Sequence, residues 1–291
     1  MIIKKIKEKL DQISRIVADL EYIKMAIGRL ELANLQNGYS KTKEFKVFSQ
    51  WGEDGIIQWI IQNIKISREI FIEFGVQNYT ESNTRFLLMN NNWSGLVIDG
   101  SEENINYIKK DDIYWRYNLK AVQKFITAEN INSIFKENGI EGDIGLLSID
   151  IDGNDYWVWE AINCINPDIV ICEYNHIWGK EKAVTIEYSP DFVREKVERS
   201  CVYWGGSIQA FVHLAKKKGY SLVAGNKNGN NIFFVRNDLL NDVVREKSVE
   251  ECFVHGKFRD SRNDDGTIAF YSLEEEQAIL SKLPVIDVSK C

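Results

Sequence analysis

The sequence predicts an α/β protein. Its central, doubly wound (Rossmann-like) sheet is expected to be mainly parallel, to end in an antiparallel strand, and to be preceded by an N-terminal helix. Short β-rich runs alternate with helical stretches from about residue 45 onward, which is the pattern of a sheet layered by helices. The runs at 144–150 and 168–173 are almost continuously apolar, as strands buried on both faces must be. The last two β-rich runs follow each other closely and indicate a hairpin-like end.

The first 36 residues carry a helical pattern of their own. Apolar residues recur at alternating spacings of four and three, with one slip, at Ile6, Leu10, Ile13, Val17, Leu20, Ile23, Ile27 and Leu30. Such an imperfect heptad predicts a long amphipathic helix over residues 1–36. The helix either joins two copies of the chain as a short coiled coil or packs on the body of the protein.

The elements that follow are predicted in chain order. A helix is expected to begin near Ser49, whose hydroxyl can cap it, and to reach Ile64. Strands are predicted at 69–75, 95–99, about 113–118, 144–150, 168–173, near 220 and 231–236. Helices are predicted at about 81–91, 102–110, 129–138, 154–162 and 206–218. After a linker at about 37–46, these elements form one domain over residues 45–240, and a tail over 241–291 could act as a lid.

The composition excludes several classes of protein. Of the 291 residues 44% are hydrophobic and 27% are charged, the balance of a globular chain. With 36 Lys and Arg against 43 Asp and Glu, the net charge of −7 argues against a nucleic-acid partner. The five cysteines form no C-x-x-C pair, which indicates a reducing cytoplasm and no structural zinc. We find no secretory signal and no run of eighteen apolar residues, and so expect no membrane span.

Acidic residues end four of the predicted strands, where ligands bind in doubly wound sheets. These residues are Glu73, Asp99, Asp150 and Glu173. Gly75 follows the first strand and lets the backbone approach a ligand, but the G-x-G-x-x-G pattern of NAD and FAD sites is absent. Asp99 lies at the end of the second strand, the position of the acid that accepts hydrogen bonds from ribose hydroxyls. An acidic first turn together with a ribose acid fits S-adenosylmethionine (SAM).

Several short runs resemble the FkbM-type class I SAM-dependent methyltransferases, in particular a bacterial branch associated with surface polysaccharides. The resemblance covers about residues 45–240. The runs that carry it are Ser49-Gln-Trp-Gly-Glu-Asp-Gly55, Phe71-Ile-Glu-Phe-Gly-Val, Glu81-Ser-Asn-Thr84, Trp93-Ser-Gly-Leu-Val-Ile-Asp-Gly100, Leu147-Ser-Ile-Asp-Ile-Asp-Gly-Asn-Asp-Tyr156, Cys172-Glu-Tyr-Asn175, Gly205-Gly-Ser-Ile-Gln-Ala and Asn231-Ile-Phe-Phe-Val-Arg236. The chain departs from the class at Gln77-Asn78-Tyr79, which replaces the usual glycine-rich loop.

The resemblance implies the positions of the cofactor site. Residues implied to contact SAM are Ser49, Gln50, Glu73, Gly75, Asn83, Thr84, Asp99 and Asp150. Asp99 would hold the ribose, and Ser49 and Gln50 would reach the methionine carboxylate. The residues that would surround the methionine part are Glu73, Gly75, Asn83 and Thr84. Ser49 could instead be no more than the N-cap of its helix.

The reaction centre is expected at the ends of the fourth and fifth strands. Asp150 and Asp152 lie two residues apart on a segment predicted to be extended, so both point to one side. Asp150, Glu173 and Asn175 could together hold Mg²⁺, which would bind a substrate hydroxyl and lower its pKa. Without a metal, Asp152 or His176 would be the general base. Asp150 and Asp152 could also serve only to turn the chain.

These observations predict a SAM-dependent O-methyltransferase. The expected acceptor is a small carbohydrate-like molecule, a sugar or a nucleotide-linked sugar of a surface-polysaccharide pathway. Two other functions remain open. The D-x-D at 150–152 is also the cation-binding pattern of glycosyltransferases that use nucleotide sugars. A non-catalytic scaffold with a methyltransferase fold could instead bind partners through residues 1–36.

Overall fold

The computed structural model describes residues 2–290. Met1, Cys291 and the side chains of Ile2, Ile3, Leu10, Asp11 and Ser14 lie outside the described part, and Leu10 is a position of the helical pattern. The helices are α1 (Ile2–Gln36), α2 (Glu53–Asn63), α3 (Arg85–Asn91), α4 (Glu102–Lys110), α5 (Ile113–Arg116), α6 (Ile131–Glu137), α7 (Asp155–Ala161), α8 (Arg194–Val197), α9 (Ile208–Lys218), α10 (Val249–Cys252) and α11 (Leu273–Leu280). The strands are β1 (Ile70–Phe74), β2 (Ser94–Asp99), β3 (Leu119–Gln123), β4 (Gly142–Ile149), β5 (Ile165–Glu173), β6 (Val184–Ile186), β7 (Tyr220–Gly225), β8 (Asn231–Arg236) and β9 (Val285–Asp287).

The central sheet confirms the predicted fold class. Its seven strands are ordered β3-β2-β1-β4-β5-β8-β7, and the first five are parallel. Strand β8, the last of this sheet along the chain, runs antiparallel to its neighbours β5 and β7. The strand order reverses between β1 and β4, and such a switch point opens a crevice at the carboxyl ends of the strands.

Apolar side chains cover both faces of this sheet. Alternate residues of each strand point to opposite faces, so Ile72 and Leu147 pack on one side against α6, α7 and α9. Their neighbours Phe71 and Leu146 pack on the other side against α2, α3 and α4. This two-sided burial explains why β1 and β4 are apolar along most of their length.

The predicted third strand is wrong in position. Residues 113–116 form the short helix α5, and β3 begins at Leu119. The carboxylate of Asp111 accepts the backbone N–H of Ile113, and Asp112 accepts from Arg116 one turn later. These local bonds favour a helical turn although the segment is rich in aromatic residues. The strand itself lies at the sheet edge and alternates between buried and exposed residues, which is a weaker sequence signal.

The predicted start of the second helix is also wrong. Helix α2 begins at Glu53 with Gly52 as its N-cap, and Ser49 lies in the preceding loop. The carboxylate of Asp54 accepts hydrogen bonds from the backbone N–H groups of residues 47–49 and from Ser49 Oγ. This buried acid folds the loop back onto the first turn of the helix, so the Ser49 hydroxyl is used there rather than as a cap.

The second half of α1 packs on the body of the protein. Met25 is buried, and a Cβ atom at Gly28 would lie 2.5 Å from Val47 Cγ2. Glu21 accepts a hydrogen bond of 2.6 Å from the buried Arg85 on α3. Of the two expectations for this helix, packing on the body therefore holds for its second half.

The chain after residue 240 is tied to the domain by backbone bonds. Lys247 N donates to Leu222 O of β7, and the Tyr174 hydroxyl donates to Val254 O. Strand β9 pairs with β6, which follows β5 in the chain. Within residues 2–290, no helix is both long enough and apolar enough to span a membrane.

Gly75 allows a close backbone contact between the segments that follow β1 and β4, and its replacement tests that contact. It has φ +75°, and a Cβ atom there would lie 1.5 Å from the carbonyl oxygen of Asp150. We expect Gly75→Ala to lower the free energy of unfolding by about 3 kcal/mol or more, because left-handed strain and overpacking add. Urea unfolding of the full chain measures this loss.

Gly139→Ala is the matched control. Gly139 has φ +76° but nothing within 4 Å of the added atom, so we expect a loss of only about 1 kcal/mol. Equal losses in the two variants would contradict the packing role of Gly75.

Candidate functional site

A cleft with a volume of about 180 Å³ lies at the switch point of the sheet. Its walls come from the end of β2, from the segments that follow β1, β2, β3 and β4, and from one later residue. The wall residues are Gly75, Gln77, Ile98, Asp99, Gly100, Lys124, Phe125, Ile126, Asp150, Ile151, Asp152, Asn154 and Phe192. Four residues of the predicted site therefore line one cleft: Gly75, Asp99, Asp150 and Asp152.

Two of the predicted cofactor acids point to the same face of the sheet. Glu73 is paired in register with Val97 of β2 and with Ser148 of β4. Asp99 follows Val97 by two residues and therefore shares its face. The acids that end β1 and β2 thus lie on one side of the sheet at its carboxyl edge.

Glu73 is buried and holds the start of α3. Its Oε1 accepts the N–H of Asn83 at 2.8 Å, and its Oε2 accepts the N–H and the hydroxyl of Thr84. Burial raises the pKa of Glu73 to about 7, against these hydrogen bonds. The structure thus brings together Glu73, Asn83 and Thr84, all expected at the methionine part of the cofactor, but these three side chains do not form the cleft wall.

Asp99 lies in the cleft wall with its carboxylate fixed. Oδ2 accepts the N–H of Gln77 at 2.8 Å, and Oδ1 accepts from Ser101 N and Asn104 Nδ2. An ionised carboxylate has about four acceptor positions. Asp99 can therefore hold its loop and still accept one further hydrogen bond from a ligand.

The loop after Gly75 adopts its shape without further glycines. Gln77 and Tyr79 have positive φ angles of 48° and 64°, which non-glycine residues adopt at an energetic cost. The Tyr79 ring is fully buried, and its hydroxyl lies 2.9 Å from Thr84 Oγ1. A buried tyrosine thus anchors the turn that a glycine-rich loop usually forms.

Ser49 and Gln50 lie outside the cleft wall. Ser49 is buried beside Asp54, and the exposed Gln50 accepts a 3.3 Å hydrogen bond from Asn230, in the turn between β7 and β8. We therefore do not carry these two residues into the proposed cofactor site.

An acidic cluster, formed by Asp150, Asp152 and Glu173, lies at the ends of β4 and β5. One carboxylate oxygen of each residue lies within 4.8 Å of the other two. Burial, reinforced by repulsion from the neighbouring carboxylates, raises the pKa of Asp150 and of Glu173 well above the ordinary range. Such a cluster favours a proton or a cation between the carboxylates.

The acids of the cluster converge through a turn, and the expectation of an extended segment is wrong. Asp152 has a positive φ of 56°. The buried Asp155 accepts the N–H groups of Ile151 and Gly153 at 2.8 and 2.9 Å and fixes this turn. The turn holds Asp152 within reach of Asp150.

Asn175 does not join the acidic cluster. Its Nδ2 donates to Val202 O and Trp204 O, and its Oδ1 accepts the N–H of Ile177. The amide is occupied at both ends by backbone groups. We therefore leave Asn175 out of the proposed metal site.

His176 faces the tail rather than the cleft wall. Its ring packs edge-on against His255 and Phe258, with centroid distances of 4.7 and 5.1 Å. Burial, helped by His255, lowers the pKa of His176 to about 4. The ring is therefore neutral at pH 7 and a weak proton acceptor, which argues against His176 as the general base.

Sequence reasoning missed Arg194 and part of the cleft wall. Arg194, on the short helix α8, donates to Asp152 at 3.0 Å and to Asp260 at 2.9 Å. It lies in an irregular stretch whose fold position cannot be assigned from periodicity. The wall residues Phe125 and Asn154 follow strand ends, and that placement alone could have identified them as candidates.

Comparison with known proteins finds no matching protein-family model and no matching curated protein. Among solved structures, the N-terminal domain of EvdMO1 with SAH bound is 10% identical, with 72% of this chain and 95% of that chain covered and a TM-score of 0.41. An S-adenosylmethionine-dependent methyltransferase from Clostridium acetobutylicum is 11% identical, with 62% and 88% covered and a TM-score of 0.38. An O-methyltransferase family protein from Burkholderia thailandensis is 9% identical, with 63% and 57% covered and a TM-score of 0.39.

Glu173→Gln tests the repulsion in the acidic cluster. Folding raises the pKa of Glu173, so the folded state favours its protonated form. The contribution of Glu173 to the free energy of unfolding is fully present below the ordinary glutamate pKa and is lost as the pH rises. Near pH 8, we expect the free energy of unfolding of this variant to be about 1 to 2 kcal/mol higher than that of the native chain. The gain should shrink as the pH is lowered toward about pH 4.

Asp143→Asn is the control for this measurement. Asp143 lies exposed at the opposite end of β4, where its carboxylate is 3.6 Å from Arg236. Denaturant unfolding across the pH range should show no gain that grows with pH in this variant. A Glu173→Gln chain that is less stable than the native chain at pH 8 would contradict the repulsion.

Proposed function

We propose that this chain is a SAM-dependent O-methyltransferase. The observation that carries the proposal is the single cleft at the switch point, which has Asp99 in one wall and the acidic cluster at its edge. An acid that accepts from ribose hydroxyls and a group that activates an acceptor hydroxyl are the two parts that such a reaction needs in one place.

The walls of the cleft suit an adenosine. Asp99 would accept a ribose hydroxyl. The apolar side chains of Phe125, Ile126 and Ile151 offer surfaces for a planar base. The Oδ1 atom of the buried Asn154 has no hydrogen-bond partner among the described residues, and it can accept from an amino group such as that of adenine.

The acidic cluster fits a hard divalent cation. Carboxylate oxygens are the ligands that Mg²⁺ prefers, and the half-buried Asp150 lies beside the buried Glu173. Asp150, Asp152 and Glu173 would hold the ion. A bound Mg²⁺ would polarise an acceptor hydroxyl and lower its pKa.

Asp152 is the best placed proton acceptor in the cleft wall. Its side chain is 62% exposed, whereas Glu173 is buried. In the reaction the acceptor oxygen forms a bond to the methyl carbon, the bond from that carbon to sulfur breaks, and the hydroxyl proton leaves to a base. With no cation at the cluster, Asp152 would take that proton; with a bound cation, the proton of the acidified hydroxyl would leave to solvent. S-adenosylhomocysteine (SAH) would be the second product in both cases.

We propose a small, hydroxyl-bearing, carbohydrate-like acceptor, in line with the polysaccharide-associated resemblance. Phe192 places an aromatic ring in the wall beside the acids, and such rings pack against sugar faces.

A glycosyltransferase is the second candidate, because both acids of the D-x-D reach the cluster with Glu173. A thermal-shift comparison of SAH with a panel of nucleotide sugars separates the two functions. Stabilisation by SAH supports methyl transfer, and stabilisation by the sugars alone contradicts it. Methyl release from labelled SAM in the presence of a cell extract would also separate an enzyme from a silent scaffold.

Two variants assign the two halves of the site, the cofactor half and the cation half. We expect Asp99→Asn to weaken SAH binding by about tenfold or more, because a ribose acceptor is lost. Glu173→Gln should abolish Mn²⁺ binding and change SAH affinity by less than about threefold. Calorimetry with SAH and paramagnetic titration with Mn²⁺ measure both, with Asp143→Asn as the control for each. Loss of SAH binding in Glu173→Gln, with Mn²⁺ binding unchanged, would contradict the assignment.

We further propose that the first half of α1 pairs with α1 of a second copy of the chain. Ile13 and Val17 are 56% and 60% exposed, and further exposed apolar residues continue the same seam, including Ile6 and Leu20. A seam of this spacing is the surface that two helices bury in a coiled coil. A second copy supplies a seam of the same length and spacing.

Ile13→Glu combined with Val17→Glu tests this pairing. Both substitutions place charge on the seam, so we expect the variant to sediment as a monomer where the native chain sediments as a dimer. Gln12→Glu combined with Ala18→Glu adds the same charge beside the seam and should leave the dimer intact. A native chain that sediments as a monomer at micromolar concentration would refute the pairing.

A further inference from the structure

Arg194 connects the acidic cluster to the C-terminal part of the chain. Its Nη1 donates to Asp152 Oδ1 at 3.0 Å, and its Nη2 donates to Asp260 Oδ2 at 2.9 Å. Its Nε donates to Cys201 O at 2.7 Å, and the guanidinium lies over the Trp204 ring at 4.8 Å. The side chain is only 10% exposed, so the cation is held in one position from several sides.

Asp152 differs from the other two acids of the cluster. Asp150 is half-buried and Glu173 is buried, whereas Asp152 is exposed and lies on a turn with positive φ. The carboxylate of Asp152 thus has two roles: it accepts the hydrogen bond from Arg194, and it is the third carboxylate of the acidic cluster. Of the three acids, Asp152 can therefore exchange the Arg194 guanidinium for a divalent cation with the least loss of packing.

We propose that Arg194 is the built-in counter-ion of Asp152 in the cation-free protein and that it yields this carboxylate to a divalent cation. Cation binding at the acidic cluster is thereby coupled to residues 257–262 through Asp260. This inference rests on the cation site of the proposed function.

The coupling follows from charge and from reciprocity. A cation among Asp150, Asp152 and Glu173 lies close to the guanidinium, and two positive charges at short range repel in a partly buried site. Each cation therefore weakens the hold of the other on Asp152. With Asp152 withdrawn, Arg194 keeps Asp260, Cys201 O and the Trp204 ring but loses its ion pair with the cleft wall, so its hold on Asp260 is anchored at fewer points.

Titration with Mn²⁺, followed by paramagnetic resonance of the full chain, tests the competition. We expect Arg194→Gln to bind Mn²⁺ about tenfold more tightly than the native chain, because the competing charge is gone. Arg194→Lys keeps the charge and should stay within about threefold of the native affinity. Arg116→Gln removes an exposed arginine that pairs with Asp112 on α5 and should change nothing. Equal or weaker Mn²⁺ binding in Arg194→Gln overturns the proposal.

Hydrogen exchange provides a second readout that needs no variant at position 194. In the native chain, saturating Mn²⁺ should raise amide exchange within residues 257–262, where Arg262 N donates to Ser200 O. Exchange that Mn²⁺ leaves unchanged in the native chain overturns the proposal, even if Arg194→Gln fails to fold.

The same samples separate this inference from the proposed function. If SAH does not bind while Mn²⁺ behaves as expected, methyl transfer is refuted and the role of Arg194 stands. If SAH binds and Arg194→Gln does not tighten Mn²⁺ binding, the role of Arg194 is refuted and methyl transfer stands. A native chain that binds no Mn²⁺ refutes the cation site and, with it, this inference.

Discussion

Buried negative charge is the constraint on which the carboxyl edge of the sheet depends. Three buried acids, Asp54, Glu73 and Asp155, each accept two or more backbone N–H groups, and each thereby shapes a loop. These hydrogen bonds offset part of the cost of burying the three carboxylates, and burial still raises their pKa. Asp150 and Glu173 instead face each other, with Asp152 completing the cluster. The first group shapes loops at this edge of the sheet, and the second group is left to act on a ligand.

The same distinction relates stability to function. Like charges in a site of low dielectric destabilise the fold, and proteins keep such arrangements where chemistry needs them. Arg194 supplies part of the missing charge, since its guanidinium contacts Asp152 and lies near Glu173. The cluster can thus be held in the folded chain before any ligand arrives. A proton, an arginine and a divalent cation are three ways to neutralise the same carboxylates.

The sequence predicted most of the fold because the inner strands are buried on both faces. Such strands leave long apolar runs, as in β4 and β5, and the acids at their ends could be placed from the runs alone. Edge strand β3 has no such run, and an aromatic segment that forms helix α5 was mistaken for it. The Ser49 hydroxyl was assigned to a helix cap because sequence does not show that Asp54 draws the loop back.

The composition of the site was harder to predict than its location. Asp99 and Asp150 follow from strand order, and both line the cleft. Asn175 and His176 follow the same rule, yet local hydrogen bonds and ring packing turn them away from the cleft. Arg194 comes from a stretch without periodicity and reaches the cluster only through the tertiary fold. The strand ends therefore predict the location of the candidate site, and tertiary packing decides which side chains line it.

A crystal structure of the full chain soaked with SAH and Mg²⁺ tests the central claim most directly, because cofactor, cation and cleft are observed together. The account predicts SAH in the cleft, with a ribose hydroxyl on the carboxylate of Asp99 and a cation bound by Asp150, Asp152 and Glu173. A cleft that stays closed to SAH, or SAH bound away from Asp99, would contradict it.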